Sequence, residues 1–161
     1  MKKLIPVLLC LFMIQSVSYA QLPSVKVQLS NNKKFDTKNL TNGKTPLVIS
    51  FWSISCDPCI QEIDAINEAY DDWQEEVPFK LVLVSTDDTR FTAQARAFAK
   101  TRGWSDFICL YDVNSDFKRA MNVVFTPHSF VLSPDGTIVH SQTGYNPGAE
   151  EEILSALKKL Q

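Results

Sequence analysis

Phe51-Trp52-Ser53-Ile54-Ser55-Cys56-Asp57-Pro58-Cys59 is the stretch on which the fold turns. Upstream, Pro46 leads into Leu47, Val48, Ile49, Ser50, Phe51 and Trp52. A nearly continuous apolar run of that length is the pattern of a strand buried on both faces of a sheet. Downstream, Cys59 or Ile60, then Ile63, Ile66, Tyr70 and Trp73, recur every three or four residues and line one helix face. Pro58 suits the first turn of that helix, where its missing N–H has no partner to lose. The two cysteines therefore sit where a buried strand hands over to a helix N-terminus.

Working outward, Val25, Val27 and Leu29 alternate with polar residues as in a half-buried strand, an extension preceding the central run. Asn31 to Lys34 reads as a turn and Asn39 to Thr45 as a polar loop. Beyond the helix, Pro78 closes the segment and Phe79 to Ser85 forms a second buried strand. Asp87 or Asp88 is placed to cap a helix with Phe91, Ala95 and Phe98 on its inner face, and Gly103 ends it. Phe107 to Tyr111 is a third strand. Asn114 or Ser115 opens a short helix carrying Phe117, Ala120 and Met121. Ser129 to Leu132 and Thr137 to Gln142 flank Ser133-Pro134-Asp135-Gly136, which reads as an antiparallel hairpin. Glu150 to Glu152 begin the last helix and Lys158 and Lys159 end it, in keeping with its dipole. The order specifies an α/β fold, a mixed sheet flanked by helices, with parallel crossovers first and an antiparallel edge last.

Reversible thiol chemistry follows from the spacing. Residues three apart in a helix have Cα atoms about 5 Å apart, within the roughly 4.4–6.8 Å that a disulfide spans. Such a pair opens and closes with little backbone movement. The free N–H groups and dipole at a helix N-terminus stabilise a thiolate. Cys56, nearer that end, is the expected attacking thiol; Cys59, one turn in, is the expected resolving thiol. Half a zinc site shares this spacing, but the chain has no second Cys-x-x-Cys, and His128 and His140 lack ligand neighbours in sequence. No metal and no cofactor are expected.

The 161 residues indicate one domain, and 16 Lys and Arg against 18 Asp and Glu exclude the basic field of a nucleic-acid binder. Residues 1–20 have a composition of their own: Lys2 and Lys3, an apolar run from Leu4 to Ile14, then a small-residue end at Ser18 and Ala20. This is the layout of a secretory signal peptide cut after Ala20, leaving one domain over 21–161. The run is shorter than the roughly 20 apolar residues of a membrane span, so a retained anchor is the weaker reading. Cleavage removes Cys10 and leaves Cys56, Cys59 and Cys109. A close pair plus a distant third suits redox chemistry better than a stapled scaffold. Cys109, among Phe107, Ile108, Leu110 and Tyr111, reads as a core thiol.

The segment from Phe51 to Cys59, followed by Glu62, resembles the active site of exported thioredoxin-like proteins of the TlpA/ResA type. Val123-Val124-Phe125-Thr126-Pro127, then Phe130, Asp135 and Gly136, resembles that family's cis-proline loop and hairpin. The resemblance spans about residues 24 to 160 and implies a thioredoxin-like fold. It further implies a cis bond at Pro127 packed against the cysteines, with Thr126 and Pro127 offering backbone to an incoming peptide. It makes Glu62 the acid that exchanges protons with Cys59. The implied partners are a disulfide-containing protein substrate and a membrane or periplasmic electron donor, with the protein itself a periplasmic monomer.

Three positions depart from that pattern. Ser55 stands where Trp is frequent, and Ser50 where cytosolic thioredoxins hold a buried Asp. Asp57 places a negative charge beside Cys56, which disfavours its thiolate and predicts a reductant rather than a strong oxidant. Two rival readings use the same residues. One is a peroxiredoxin-like peroxidase with Ser53 assisting Cys56. The other is a copper or zinc carrier using Cys56, Cys59 and His128 or His140.

Overall fold

The computed structural model describes residues 22–161, so the expected signal peptide at 1–20 lies outside the described residues. Among the described residues no helix is long and apolar enough to cross a membrane. In chain order the elements are β1 (Lys26–Leu29), β2 (Lys34–Asp36), a 3-10 turn (Thr37–Leu40), β3 (Leu47–Trp52), α1 (Asp57–Glu68), α2 (Tyr70–Glu76) and β4 (Lys80–Ser85). They continue with α3 (Thr92–Thr101), a 3-10 turn (Trp104–Asp106), β5 (Ile108–Tyr111), α4 (Asp116–Ala120), β6 (His128–Leu132), β7 (Ile138–Thr143) and α5 (Glu150–Lys158).

The apolar run before the cysteines is the centre of the molecule. All six residues of β3 are buried, because β3 lies between parallel β4 and antiparallel β6 in a seven-stranded sheet of order β2-β1-β5-β4-β3-β6-β7. The crossovers β3-α1-β4 and β4-α3-β5 step in one direction, so their right-handedness puts α1 and α3 on one face. On that face Val48 and Trp52 of β3 pack with Ile63 and Ile66 of α1, Ala95 of α3, and Ile153 and Leu157 of α5. Leu47, Ile49 and Phe51 point the other way, against Phe117, Met121 and Phe130. Ser50, between Val48 and Trp52, therefore faces α1.

Several local expectations need correction. Lys34, read as the end of a turn, begins β2, which pairs with β1 through Val27–Phe35. A single apolar residue in so short a strand gives no alternation to read; Asp36 anchors it instead. Lys26 Nζ at 2.9 Å and Ser24 Oγ at 2.8 Å both reach the Asp36 carboxylate. Those bonds, Lys26 foremost, hold its carboxyl down to about 2. The long helical pattern is two helices, broken at Ala69, with Trp73 buried from the second. Neither Asp87 nor Asp88 occupies the cap position of α3, which falls at Phe91, itself largely exposed. Gly103 does end α3, in the left-handed conformation that a residue with a side chain resists. Ser115 is the N-cap of α4, as expected, but its side chain makes no capping bond. Asp112 accepts from Phe117 N at 3.1 Å and Lys118 N at 2.7 Å instead. Ala120, expected inward, is exposed.

Candidate active site

β3 ends at Trp52 and the chain turns through Ser53–Ser55 into α1, with Cys56 as its N-cap. The turn is held from the neighbouring strand. Thr86 N donates to Trp52 O at 2.8 Å. Both oxygens of Asp87 accept from Ile54 N, at 3.3 and 3.2 Å, while Ser85 Oγ donates to Asp87 at 2.9 Å. Asp87 is thus a support of the cysteine loop rather than the helix cap its sequence position suggested. Burial pushes its carboxyl above the usual range.

Cys56 and Cys59 are joined by a disulfide with their Cα atoms 5.3 Å apart, the separation that one helical turn supplies. Their surroundings differ. Cys56 is half-buried, and its sulfur accepts from Cys59 N at 3.3 Å, a free helix-terminal donor. Cys59 is fully buried beneath it. Asp57, Pro58 and Ser55 are exposed around the pair.

Glu62 lies one turn beyond Cys59 and is fully buried. Ser50 Oγ and Ser129 Oγ donate to its Oε2 at 2.9 and 2.8 Å, and Gln142 Nε2 donates to its Oε1 at 3.2 Å. Burial pushes its carboxyl above the ordinary range, against the pull of these bonds. Ser50 is therefore not merely a replaced acid: it holds the acid that α1 supplies. The Ser129 and Gln142 contacts escaped sequence reasoning, being 67 and 80 residues from Glu62.

The Thr126–Pro127 peptide bond is cis. Pro127 is buried and Thr126 half-buried, at the start of β6, beside the end of β3 that leads to Cys56. Pro127 O accepts from Gly144 N at 2.8 Å, which fixes the loop to the end of β7. Immediately before it, Val124 and Phe125 are 68% and 72% exposed, an unusual pair of apolar side chains in water.

The rival sites fare differently. Among the described residues no group of three or more His, Cys, Asp and Glu side chains is placed to hold a metal ion. His128 engages Ser141 and Thr143, and His140 engages Gln142. Ser53 Oγ contacts Ser55 Oγ at 3.4 Å. Cys109 is buried, and its thiol, pushed up to about 11 by burial, donates to Trp104 O.

A disulfide that closes one helical turn, half-exposed at one sulfur and buried at the other, on this strand–helix–strand core, defines a thiol–disulfide oxidoreductase of thioredoxin-like architecture. The chain belongs to the Redoxin family, whose model matches residues 18–157. It is 24% identical over 140 residues to the thiol-disulfide oxidoreductase ResA of Bacillus thuringiensis subsp. konkukian, covering 87% of this chain and 76% of that one. It is 28% identical over 130 residues to the thioredoxin-like protein YneN of Bacillus subtilis, covering 77% and 70%. Among solved structures, a thioredoxin-like protein from Porphyromonas gingivalis superposes with a TM-score of 0.77 at 39% identity, covering 89% of this chain and 93% of that one. The likeness to the TlpA/ResA type read from the two sequence motifs holds.

Proposed function

We propose that the protein reduces disulfides of other proteins outside the cytoplasm, by dithiol exchange through Cys56 and Cys59. The observation that carries this is the asymmetry of the pair: a reachable sulfur at the helix end, joined to one out of reach beneath it. In the reduced protein Cys56 attacks a substrate disulfide and forms a mixed disulfide. Cys59 then attacks Cys56, the substrate leaves as a thiol, and two electrons have passed to it. Glu62 accepts the Cys59 proton. The loop at Thr126 and Pro127 receives the substrate backbone, with Val124 and Phe125 covering apolar side chains next to its cysteine.

Composition supports export, since residues 1–20 have the three parts of a secretory signal. A donor in the membrane or periplasm then reduces Cys56–Cys59 again, and the protein works as a monomer. Asp57 beside Cys56 supports the reducing direction, because a less stabilised thiolate makes a weaker oxidant. Incubation of Cys59→Ser with an extract of the exported fraction tests the reading. Mixed disulfides at Cys56 are the expected products. Fast peroxide consumption with no such adducts would overturn it in favour of the peroxidase. A couple near about −120 mV, where DsbA lies, would overturn the direction.

A further inference from the structure

The acid behind the cysteines is held in a particular way. Ser50, Ser129 and Gln142 are aligned in register across β3, β6 and β7: Ser50 pairs with Ser129, and Ser129 with Gln142. Strand residues in register share a face. All three side chains converge on one carboxyl group. Ser50, Ser129 and Glu62 are fully buried, while Gln142, on the edge strand, is partly open.

A buried carboxylate is ordinarily neutralised by a cation. None of the ion pairs among the described residues includes Glu62. Its hydrogen-bonding partners are neutral, and two are hydroxyls, which donate or accept with equal ease. Toward an ionised Glu62 both serines donate. Toward a protonated Glu62 one hydroxyl rotates and accepts, so either state is satisfied without movement of the backbone. A fixed cation would lock the anion; a fixed acceptor would lock the acid. This row does neither.

We propose that Ser50, Ser129 and Gln142 are positioning residues that let Glu62 gain and lose a proton in place, and so set the pH range over which Cys59 resolves the mixed disulfide. The proposal rests on the dithiol reading above. In the step itself the Cys59 S–H bond breaks and its proton passes to the Glu62 carboxylate. The Cys59 sulfur forms the new bond to Cys56, and the bond from Cys56 to the substrate sulfur breaks. The departing substrate thiolate carries the electron pair and takes a proton from water. When a donor dithiol later reduces Cys56–Cys59, Glu62 returns its proton to Cys59. The titratable groups facing Glu62 and its row are Cys59 on its own helix, Glu150 on α5 with Tyr145 in the loop before it, and His140 on β7, whose Nε2 lies 3.1 Å from Gln142 Oε1; β3 and β6 present only Ser50 and Ser129. Glu150 adds a like charge, which favours the protonated acid.

The test loads Cys56 with thionitrobenzoate and follows its release by Cys59 from pH 5 to 9, in wild type, Ser50→Ala, Ser129→Ala, Ser129→Thr and Gln142→Met. The Glu62 carboxyl is titrated by carbon NMR in each oxidised protein. Loss of one donor to the anion moves both midpoints up by about one pH unit. Ser129→Thr, which keeps a hydroxyl, restores them. Gln142→Met, at a partly open edge position, supplies the comparison if a buried serine variant does not fold. A carboxyl midpoint unmoved by these changes would overturn the proposal, as would one that moves without the release profile following. If wild-type Cys59 releases no thionitrobenzoate, the dithiol reading itself is wrong; if release is normal but indifferent to the row, only this proposal falls.

Discussion

A disulfide that turns over must cost the fold little to open, and the magnitude follows from its position. Cys56 and Cys59 are only three residues apart. The chain-entropy model gives a loop this short about 2 kcal/mol of stabilisation, near the low end of the range for disulfides. Opening the bond leaves Cys56 at the N-terminus of α1, where Cys59 N already points at its sulfur. A thiolate there recovers about 0.3–1 kcal/mol. The reduced protein is thus about 1–2 kcal/mol less stable than the oxidised one. Both cores, packed on opposite faces of the sheet, are built almost entirely from residues other than the pair, so the reduced chain should keep its fold. Urea unfolding of the two forms at neutral pH, followed by tryptophan fluorescence, should show midpoints about 0.5–1.5 M apart with the same slope. A gap above about 4 kcal/mol, or a reduced chain with no folded baseline, would refute the reasoning and make the bond a structural staple.

Further outcomes follow from other residues. Glu62→Gln should slow resolution by Cys59 by about 10²-fold, the lower range for a lost general base, in a single-turnover assay. Burial raises the Glu62 carboxyl in the native state, so the native state keeps a proton that the unfolded chain gives up. Wild-type stability therefore falls as pH rises from the ordinary carboxyl value of 4.5 through the raised one. Denaturation across pH 4 to 8 should show Glu62→Gln gaining on wild type as pH rises; parallel curves would contradict the assignment. Phe125→Ser should raise KM for a protein disulfide by about 10- to 100-fold, from the loss of a side chain worth about 1.5–3 kcal/mol when covered. It should leave glutathione disulfide unaffected, a contrast that steady-state kinetics on the two substrates reads directly. Cys109, with a thiol pushed up to about 11, should resist alkylation in the folded oxidised protein and react as a single thiol once urea is added.

What the sequence discloses and what it hides divide along physical lines. β3 and α1 are legible because their patterns are local: an apolar run, a helical stripe, and Pro58 between the cysteines. The cis-proline loop became legible by resemblance, on Thr126 and Pro127, and has the cis bond it implied. β2 was hidden because a three-residue strand is defined by its partner, not by its own alternation. The side chains that serve the helix N-termini were hidden for a similar reason, although Ser115 and Gly103 stand at the ends expected of them. Asp87 and Asp112 are drawn to backbone N–H groups that only the folded chain brings near them. Glu62, one turn beyond Cys59, was singled out by the resemblance, but its cradle comes from three strands meeting across the sheet. Polar partners so far apart leave no periodic trace.

Equilibrating the protein against glutathione buffers of graded potential, and counting its free thiols at each, shows whether Cys56 and Cys59 form a reversible couple. One reversible two-electron transition is expected, well below the DsbA value of about −120 mV, that disappears in both Cys56→Ser and Cys59→Ser and survives in Cys109→Ser. A pair that stays oxidised at every accessible potential, or a transition that survives the loss of either Cys56 or Cys59, would contradict dithiol exchange through the pair.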